Sequence, residues 1–449
     1  MQALSFRGIW GAVHAKIIGR KFFHDVGVLT AANLVGAAFS LIKGILVARW
    51  LGPELYGIVA LVMSYPGVVF AFFDARSSEA SVKYLGEFHS RGERNQVLAL
   101  CKLGYAVDFA VAALAFATVL VTANWAAVRI AHRPEAAGLM IVYSAAFLSR
   151  SLDGTSYAVL ATLKRFPTIA WVRSVTNLVN DVLVVGFVLS GYQVAGVIWG
   201  SAIGMVITGL VYGVTAHSLI HRTWGASWFY GALSALTGRG REIFWFLTNS
   251  NLNALLGMVS KQLDVAILGY FRTPTEVGYY KVGKSLAGKV GYVSGPLQSV
   301  SYPELVRLWS LGDGLAFRRK LKRLAWFIGL PLGLVTLLGV AVLRQLIELL
   351  VGKAYLPAVF AAQLLFASTA WQSVFFWLRP AYMASDSIRA WVIIASIFTC
   401  TLMVTWIFVV PAWGYVGVAA SLLVIGIFHD SYCTLFLSRQ MREHYGLDG

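Results

Sequence analysis

Residues 29–43 read LTAANLVGAAFSLIK, and 218 positions further on residues 247–261 read LTNSNLNALLGMVSK. Each copy holds a Leu-Thr pair, then an asparagine (Asn33, Asn251), then a lysine ten positions later (Lys43, Lys261), all within a hydrophobic run long enough to cross a bilayer. An ammonium group at the bilayer centre is disfavoured by about 2.5–3.5 kcal/mol on insertion scales. The same cost at matching points points to a duplicated membrane protein with a charged, wet interior. The match continues: Pro53, Glu54 and Gly57 align with Pro274, Glu276 and Gly278 once a few extra residues are allowed, and Ser90, Gly92 and Glu93 align with Ser310, Gly312 and Asp313.

Composition sets the solvent. Of 449 residues 58% are hydrophobic and only 13% charged, more apolar surface than a water-soluble core can hide. Cys101, Cys400 and Cys433 are far apart and lie in or beside apolar runs, which argues for packing rather than a disulfide framework or a metal site. The eight histidines form no ligand-spaced cluster, so no metal and no cofactor is expected. No cleavable signal peptide is expected either, because Arg7, Lys16, Arg20 and Lys21 interrupt the first 25 residues. Phe6, Ile9, Trp10, Val13 and Ile17 recur at helical spacing, the pattern of a surface helix over 1–25.

The net charge of +17 would suggest nucleic acid in a soluble protein, but here it follows topology and no nucleic-acid partner is expected. Hydropathy marks twelve spans, near 28–50, 57–75, 99–122, 137–160, 169–190, 194–216, 243–270, 277–300, 324–344, 357–379, 391–410 and 414–437. Placing both termini in the cytoplasm puts 24 of the 37 Lys and Arg on that side and 6 on the other, as the positive-inside rule requires. The fold class is therefore an all-α polytopic membrane protein, with about 12 transmembrane helices in two six-helix bundles around a central cavity. The bundles would span 1–216 and 243–449, joined by an interfacial cytoplasmic linker over 217–242 that carries Trp224, Trp228, Phe229 and Tyr230. Gly196, Gly200 and Gly204 offer a small-residue stripe for close helix packing, and Pro66 and Pro296 mark potential kinks.

The remaining seven bases lie inside spans: Lys43, Arg150, Arg173, Lys261, Lys281, Lys284 and Lys289. Facing lipid they would together cost on the order of 20 kcal/mol, so they face water or partners. Lys281, Lys284 and Lys289 share about 140° of helical arc over roughly 12 Å, a ladder of positive charge. Arg150 with Asp153, and Lys261 with Asp264, are spaced for intrahelical pairs. Against a purely structural reading, in which the bases snorkel or pair off, stands the shortage of local acids. A cationic cavity of Lys43, Arg150, Arg173, Lys261, Lys284 and Lys289, with Asn33 and Asn251, selects an anion. Asp153, Asp181 and Asp264 are the candidates for ion coupling, with proton or sodium as the ion. Tyr143, Trp171 and Trp371 are aromatic candidates for sugar contacts.

The segment Ala48-Arg49-Trp50-Leu51-Gly52-Pro53-Glu54-Leu55-Tyr56-Gly57 resembles the signature of polysaccharide-export members of the MOP flippase superfamily, the group that includes O-antigen and other lipid-linked oligosaccharide flippases. The basic connection from Arg76 to Asn95 and the turn Leu163-Lys164-Arg165-Phe166 are also similar. The resemblance implies a V-shaped pair of bundles in the bacterial inner membrane that alternates between inward-open and outward-open states and flips a polyprenyl-diphosphate-linked glycan. Membrane lipids and other polysaccharide-assembly proteins would be its partners. A diphosphate needs cationic neutralisation in a low dielectric, which the charge pattern supplies independently. Two alternatives stand beside this reading: a multidrug exporter of the same superfamily, and a membrane enzyme (polymerase, ligase or glycosyltransferase) acting on lipid-linked glycans. The basic chamber disfavours the first. The short outer loops, with no nucleophile–base pair or phosphate cradle, favour a non-enzyme over the second.

Overall fold

A computed structural model describes residues 6–74, 77–225, 227–242, 262–289 and 291–445, with side chains from Gly36 onward. Among these residues the secondary structure is helical throughout, without strands. Helix α1 (Phe6–Phe73) shows why the chain must turn where it does. Its 68 residues would stretch about 100 Å if straight, more than three times a hydrocarbon core of about 30 Å. It breaks at Gly52, with φ 72° and ψ 174°, a conformation that glycine adopts without a Cβ clash, and Pro53 then opens the next helix.

The same device recurs. Gly191 (φ 90°) separates α6 (Phe166–Phe187) from α7 (Gln193–Trp224), and Gly414 (φ 54°) divides α15 (Ile388–Tyr445). Between α1 and α6 lie α2 (Ser77–Ser90), α3 (Arg94–Arg129), α4 (Ala136–Ala146) and α5 (Asp153–Thr162), the last two joined by a 3-10 turn over Phe147–Leu152. The second half runs through α8 (Asp264–Phe271), α9 (Pro274–Gly288), α10 (Gly291–Ser310), α11 (Gly314–Leu324), α12 (Leu330–Leu350), α13 (Ala358–Val374) and α14 (Leu378–Ala384) before α15. Among the described residues six stretches are long and apolar enough to cross a membrane and the glycine breaks divide three of them, which accounts for nine of the twelve expected spans; those over 137–160 and 277–300 are each made of two helices, and most of 243–270 lies outside the described residues.

Two expectations change. The chain is helical without interruption from Phe6 to Gly52, so the surface helix expected over 1–25 is continuous with the first span. Pro66 sits inside an unbroken helix, and the interruption of the eighth span falls at Lys289, ahead of Pro296. The stripe Gly196, Gly200 and Gly204 does lie against α6, at Phe187, Val184 and Asn180.

The repeated sequence elements meet each other. A Cβ on Gly57 would overlap the Pro274 carbonyl, and one on Gly278 would overlap the Pro53 carbonyl, so each half offers its glycine to the other's proline. Around this clasp Tyr355 donates to the Ala48 carbonyl at 2.9 Å, Arg49 to that of Leu349 at 3.3 Å, and His132 lies 2.8 Å from the Gly269 carbonyl. A buried cluster drawing on both halves, with Leu61, Met140, Leu268, Tyr280 and Trp406, fills the space behind it. Towards the termini the cores separate. Tyr84, Leu98, Ile169 and Trp224 belong to a cluster of the first half alone, and Phe317, Trp377, Tyr382 and Met441 to one of the second. Among the described residues the halves thus share a buried cluster beside the glycine breaks and keep separate clusters elsewhere.

After α7 the connection folds back on the first half. Trp228 packs on Tyr105 with centroids 4.6 Å apart, Leu236 is buried, and Gly231 presses on the backbone of Leu98. Arg239 forks onto Glu87 (2.6 and 3.2 Å) and onto Glu242 (2.9 and 3.1 Å), while Tyr84 donates to Glu242 at 3.1 Å. Hydrogen bonds from Arg239 hold both carboxyls below the usual glutamate range.

Two outcomes are expected. Gly57→Val should wedge the clasp open, lengthening the distance between spin labels at positions 49 and 349; an unchanged distance would show that the clasp does not hold the halves together. Because the Glu87 and Glu242 carboxyls are depressed by folding, their contribution is complete above about pH 4.5 and fades as the pH drops further. Hydrogen exchange of 227–242, corrected for its intrinsic pH dependence, should therefore stay slow at neutral pH and accelerate as the pH falls below the ordinary glutamate range.

Candidate functional site

Between residues of the two halves lies a cavity of about 710 Å³. Its wall comes from both halves: Lys43, Ser64, Tyr143 and Asn180 from the first, Gln262 and Lys281 from the second. Arg150 also lines it, over the rings of Phe70 (5.2 Å) and Phe147 (5.5 Å), which stack on each other at 4.7 Å. A guanidinium held on aromatic faces keeps its charge available to the open side. A narrow apolar crevice with Leu41, Ile45, Leu286 and Ile347 shares Gly44, Tyr56 and Ser285 with the cavity wall.

The intramembrane charges sort into three groups, each of two bases around one acid. Lys43 bonds Asp181 at 2.6 Å, bridging α1 and α6, and Lys289 lies within electrostatic reach of both. Lys284 bonds Asp264, which also accepts from Tyr280, and Lys281 lies within reach of that pair. Arg150 approaches Asp153 at 4.0 Å, with Arg173 near the same carboxyl. Among the described residues each group has two bases and one acid, while Asp74 adds a further carboxylate to the cavity wall. A buried pair stripped of one partner would leave an uncompensated charge, which fixes these helices in register.

Lys43 and Arg150 thus line the cavity as expected. Arg173 is exposed and outside the wall, and Lys284 and Lys289 are not among the lining residues. Lys281, placed by sequence at the edge of its span, is the base of α9 that does line it. The expected ladder divides because α9 ends at Gly288, so Lys289 leaves the line of Lys281 and Lys284. Asp264 takes Lys284 as its partner, a contact across two helices that local spacing did not reveal. Asp181, proposed for ion coupling, is held by Lys43. Tyr143 reaches the cavity, whereas Trp171 is 62% exposed and absent from the wall. The Asn33 side chain, Asn251 and Lys261 lie outside the described residues. Phe70 and Phe147 were not singled out; their signal was an aromatic one turn from an intramembrane arginine and a second on a neighbouring span.

Asp264 is fully buried, so Asp264→Asn should strand Lys284 and lower stability by about 3–5 kcal/mol, read as a drop in the thermal midpoint of the purified protein. Adding Lys284→Met should recover more than half of that loss. A double variant as unstable as the single one would show that the pair is not what the substitution breaks.

The profile of a family described as polysaccharide biosynthesis protein matches residues 22–309. No curated protein matches the sequence. Among solved structures, the inward-facing form of a multidrug resistance MATE family transporter of the MOP superfamily superposes with a TM-score of 0.74 at 13% identity, covering 92% of this chain and 96% of its own. The lipid II flippase MurJ in an inward closed conformation gives 0.74 at 14% identity, with 93% and 89% covered. An outward-facing MATE family transporter gives 0.60 at 14% identity, with 94% and 97% covered. These likenesses establish a shared fold, and the family match covers well over half of the sequence. The chain belongs to the polysaccharide biosynthesis protein family and shares its fold with these MATE and MurJ structures.

Proposed function

We propose that this protein flips a polyprenyl-diphosphate-linked oligosaccharide across the bacterial inner membrane by alternating access, serving cell-surface polysaccharide synthesis. The observation that supports the reading is the basic lining of a cavity shared by both halves, where Lys43, Arg150 and Lys281 stand beside Asp74, the one acid among the described lining residues. A diphosphate linked on both sides keeps two negative charges at neutral pH. Placed among these groups it offsets charge that is otherwise costly in a low dielectric. Stacked Phe70 and Phe147 under Arg150 suit a sugar–phosphate junction, since aromatic faces pack on sugar rings while guanidinium forks onto phosphate.

With both termini in the cytoplasm, as the positive-inside distribution implies, the clasp of Gly57 and Gly278 closes the outer side and the V opens inward. In this reading residues 1–216 and 243–449 are the two moving bundles, and 217–242 is the tether held to the first of them. Such a cavity favours an anionic cargo over the cationic compounds of many drug exporters.

Reconstitution into liposomes with a fluorescent polyprenyl-diphosphate oligosaccharide tests the reading. Wild type should move the probe between leaflets, and Lys43→Ala, Arg150→Ala and Lys281→Ala should each slow it by about tenfold, the equivalent of roughly 1.4 kcal/mol of lost binding. Native rates in all three variants would reject an anion site at these residues. Formation or cleavage of a glycosidic bond by the purified protein would favour the enzyme reading.

A further inference from the structure

The last helix carries a charge cluster that the cavity does not use. On α15, His429 Nδ1 lies 2.9 Å from Asp430 Oδ1, and Nε2 of the same ring lies 3.7 Å from Cys433 Sγ. Trp391 and Phe398, from the first part of the same helix beyond the Gly414 turn, meet the imidazole edge-on at 5.4 and 5.3 Å. Asp430 is 7% exposed, and its Oδ2 is buried without a hydrogen-bond partner among the described residues. The remaining titratable neighbours are phenols and the thiol: Tyr432, whose ring lies 6.2 Å from Phe398, and Tyr382 of α14, which donates to the Cys433 carbonyl and packs on Trp391 at 5.3 Å.

This pair differs from the three groups around the cavity in its base: imidazole is the side chain whose unperturbed range of titration falls near neutral pH. With the proton on His429 the pair is neutral overall. Without it, a carboxylate already lacking one partner is left alone in an apolar pocket, a state that burial penalises heavily. Release therefore becomes favourable only when Asp430 meets water or another cation, which requires the packing of α14 and the two parts of α15 to loosen. Proton occupancy and helix packing are linked through this carboxylate.

We propose that His429 and Asp430 form a proton-binding site that couples protonation to movement of the second half of the molecule. The coupling rests on the alternating-access reading above, whereas the binding of the proton does not. In the resting geometry His429 holds the proton and Asp430 accepts from it. When α14 and α15 part, the carboxylate is hydrated and the proton leaves to solvent.

Two measurements decide it. In lipid nanodiscs without any substrate, 15N-histidine NMR should show one resonance, missing in His429→Gln, that titrates between about pH 5 and 9 and moves to lower pH in Asp430→Asn. In liposomes, probe flipping by wild type should depend on pH across that range, and His429→Gln and Asp430→Asn should each flatten the dependence. A ring that does not titrate there, or whose titration ignores Asp430→Asn, overturns the site. A wild-type pH profile that is flat, or that both variants keep, overturns the coupling. If wild type does not flip the probe at all, the function proposed above fails, and the nanodisc titration still rules on the site.

Discussion

A cation inside a bilayer must have water or a counter-charge beside it, and the architecture of this protein follows from meeting that demand only in part. Two bases surround each of Asp153, Asp181 and Asp264. Fully paired bases would make a stable but inert interior, and unpaired ones would be too costly to fold around. On the proposed reading, the intermediate arrangement is completed by an anionic cargo. It also explains why the helices stay in fixed register around an open space, since the Lys43–Asp181 and Lys284–Asp264 bonds cross between helices rather than run along one.

Backbone chemistry supplies the second half of the explanation. Glycines in left-handed conformations at Gly52, Gly191 and Gly414 turn long apolar helices back without a loop, which leaves little chain to cover the closed end. That end is held instead by backbone contact at Gly57 and Gly278 and by carbonyls that accept from Tyr355 and Arg49. Away from it, among the described residues, each half has a buried cluster of its own. A joint that is shared at the glycine breaks and independent elsewhere suits the two moving bundles proposed above.

Much of this was legible in the sequence, for identifiable reasons. The spans follow from hydropathy, which in lipid is nearly a complete description of where helices lie. The repeat followed from matching motifs, and the same residues turned out to touch. What spacing could not give was partnership between helices. Asp264 sits three positions from Lys261, yet its described partner is Lys284, twenty positions away, and the ladder on the eighth span was drawn through a helix end at Gly288. His429 and Asp430 were overlooked because adjacent residues point to different faces of a helix. Their pairing depends on Trp391 and Phe398 holding the ring from across a turn.

The reciprocal clasp has an implication for where such a chain comes from. A contact in which each half gives its glycine and receives the other's proline is self-complementary, as in a two-fold homodimer. A polypeptide of half this length could have closed the same contact by meeting a second copy of itself. Fusion would then have freed each half to diverge, one acquiring the Phe70–Phe147 floor and the other the histidine on its last helix, without losing the joint they had in common.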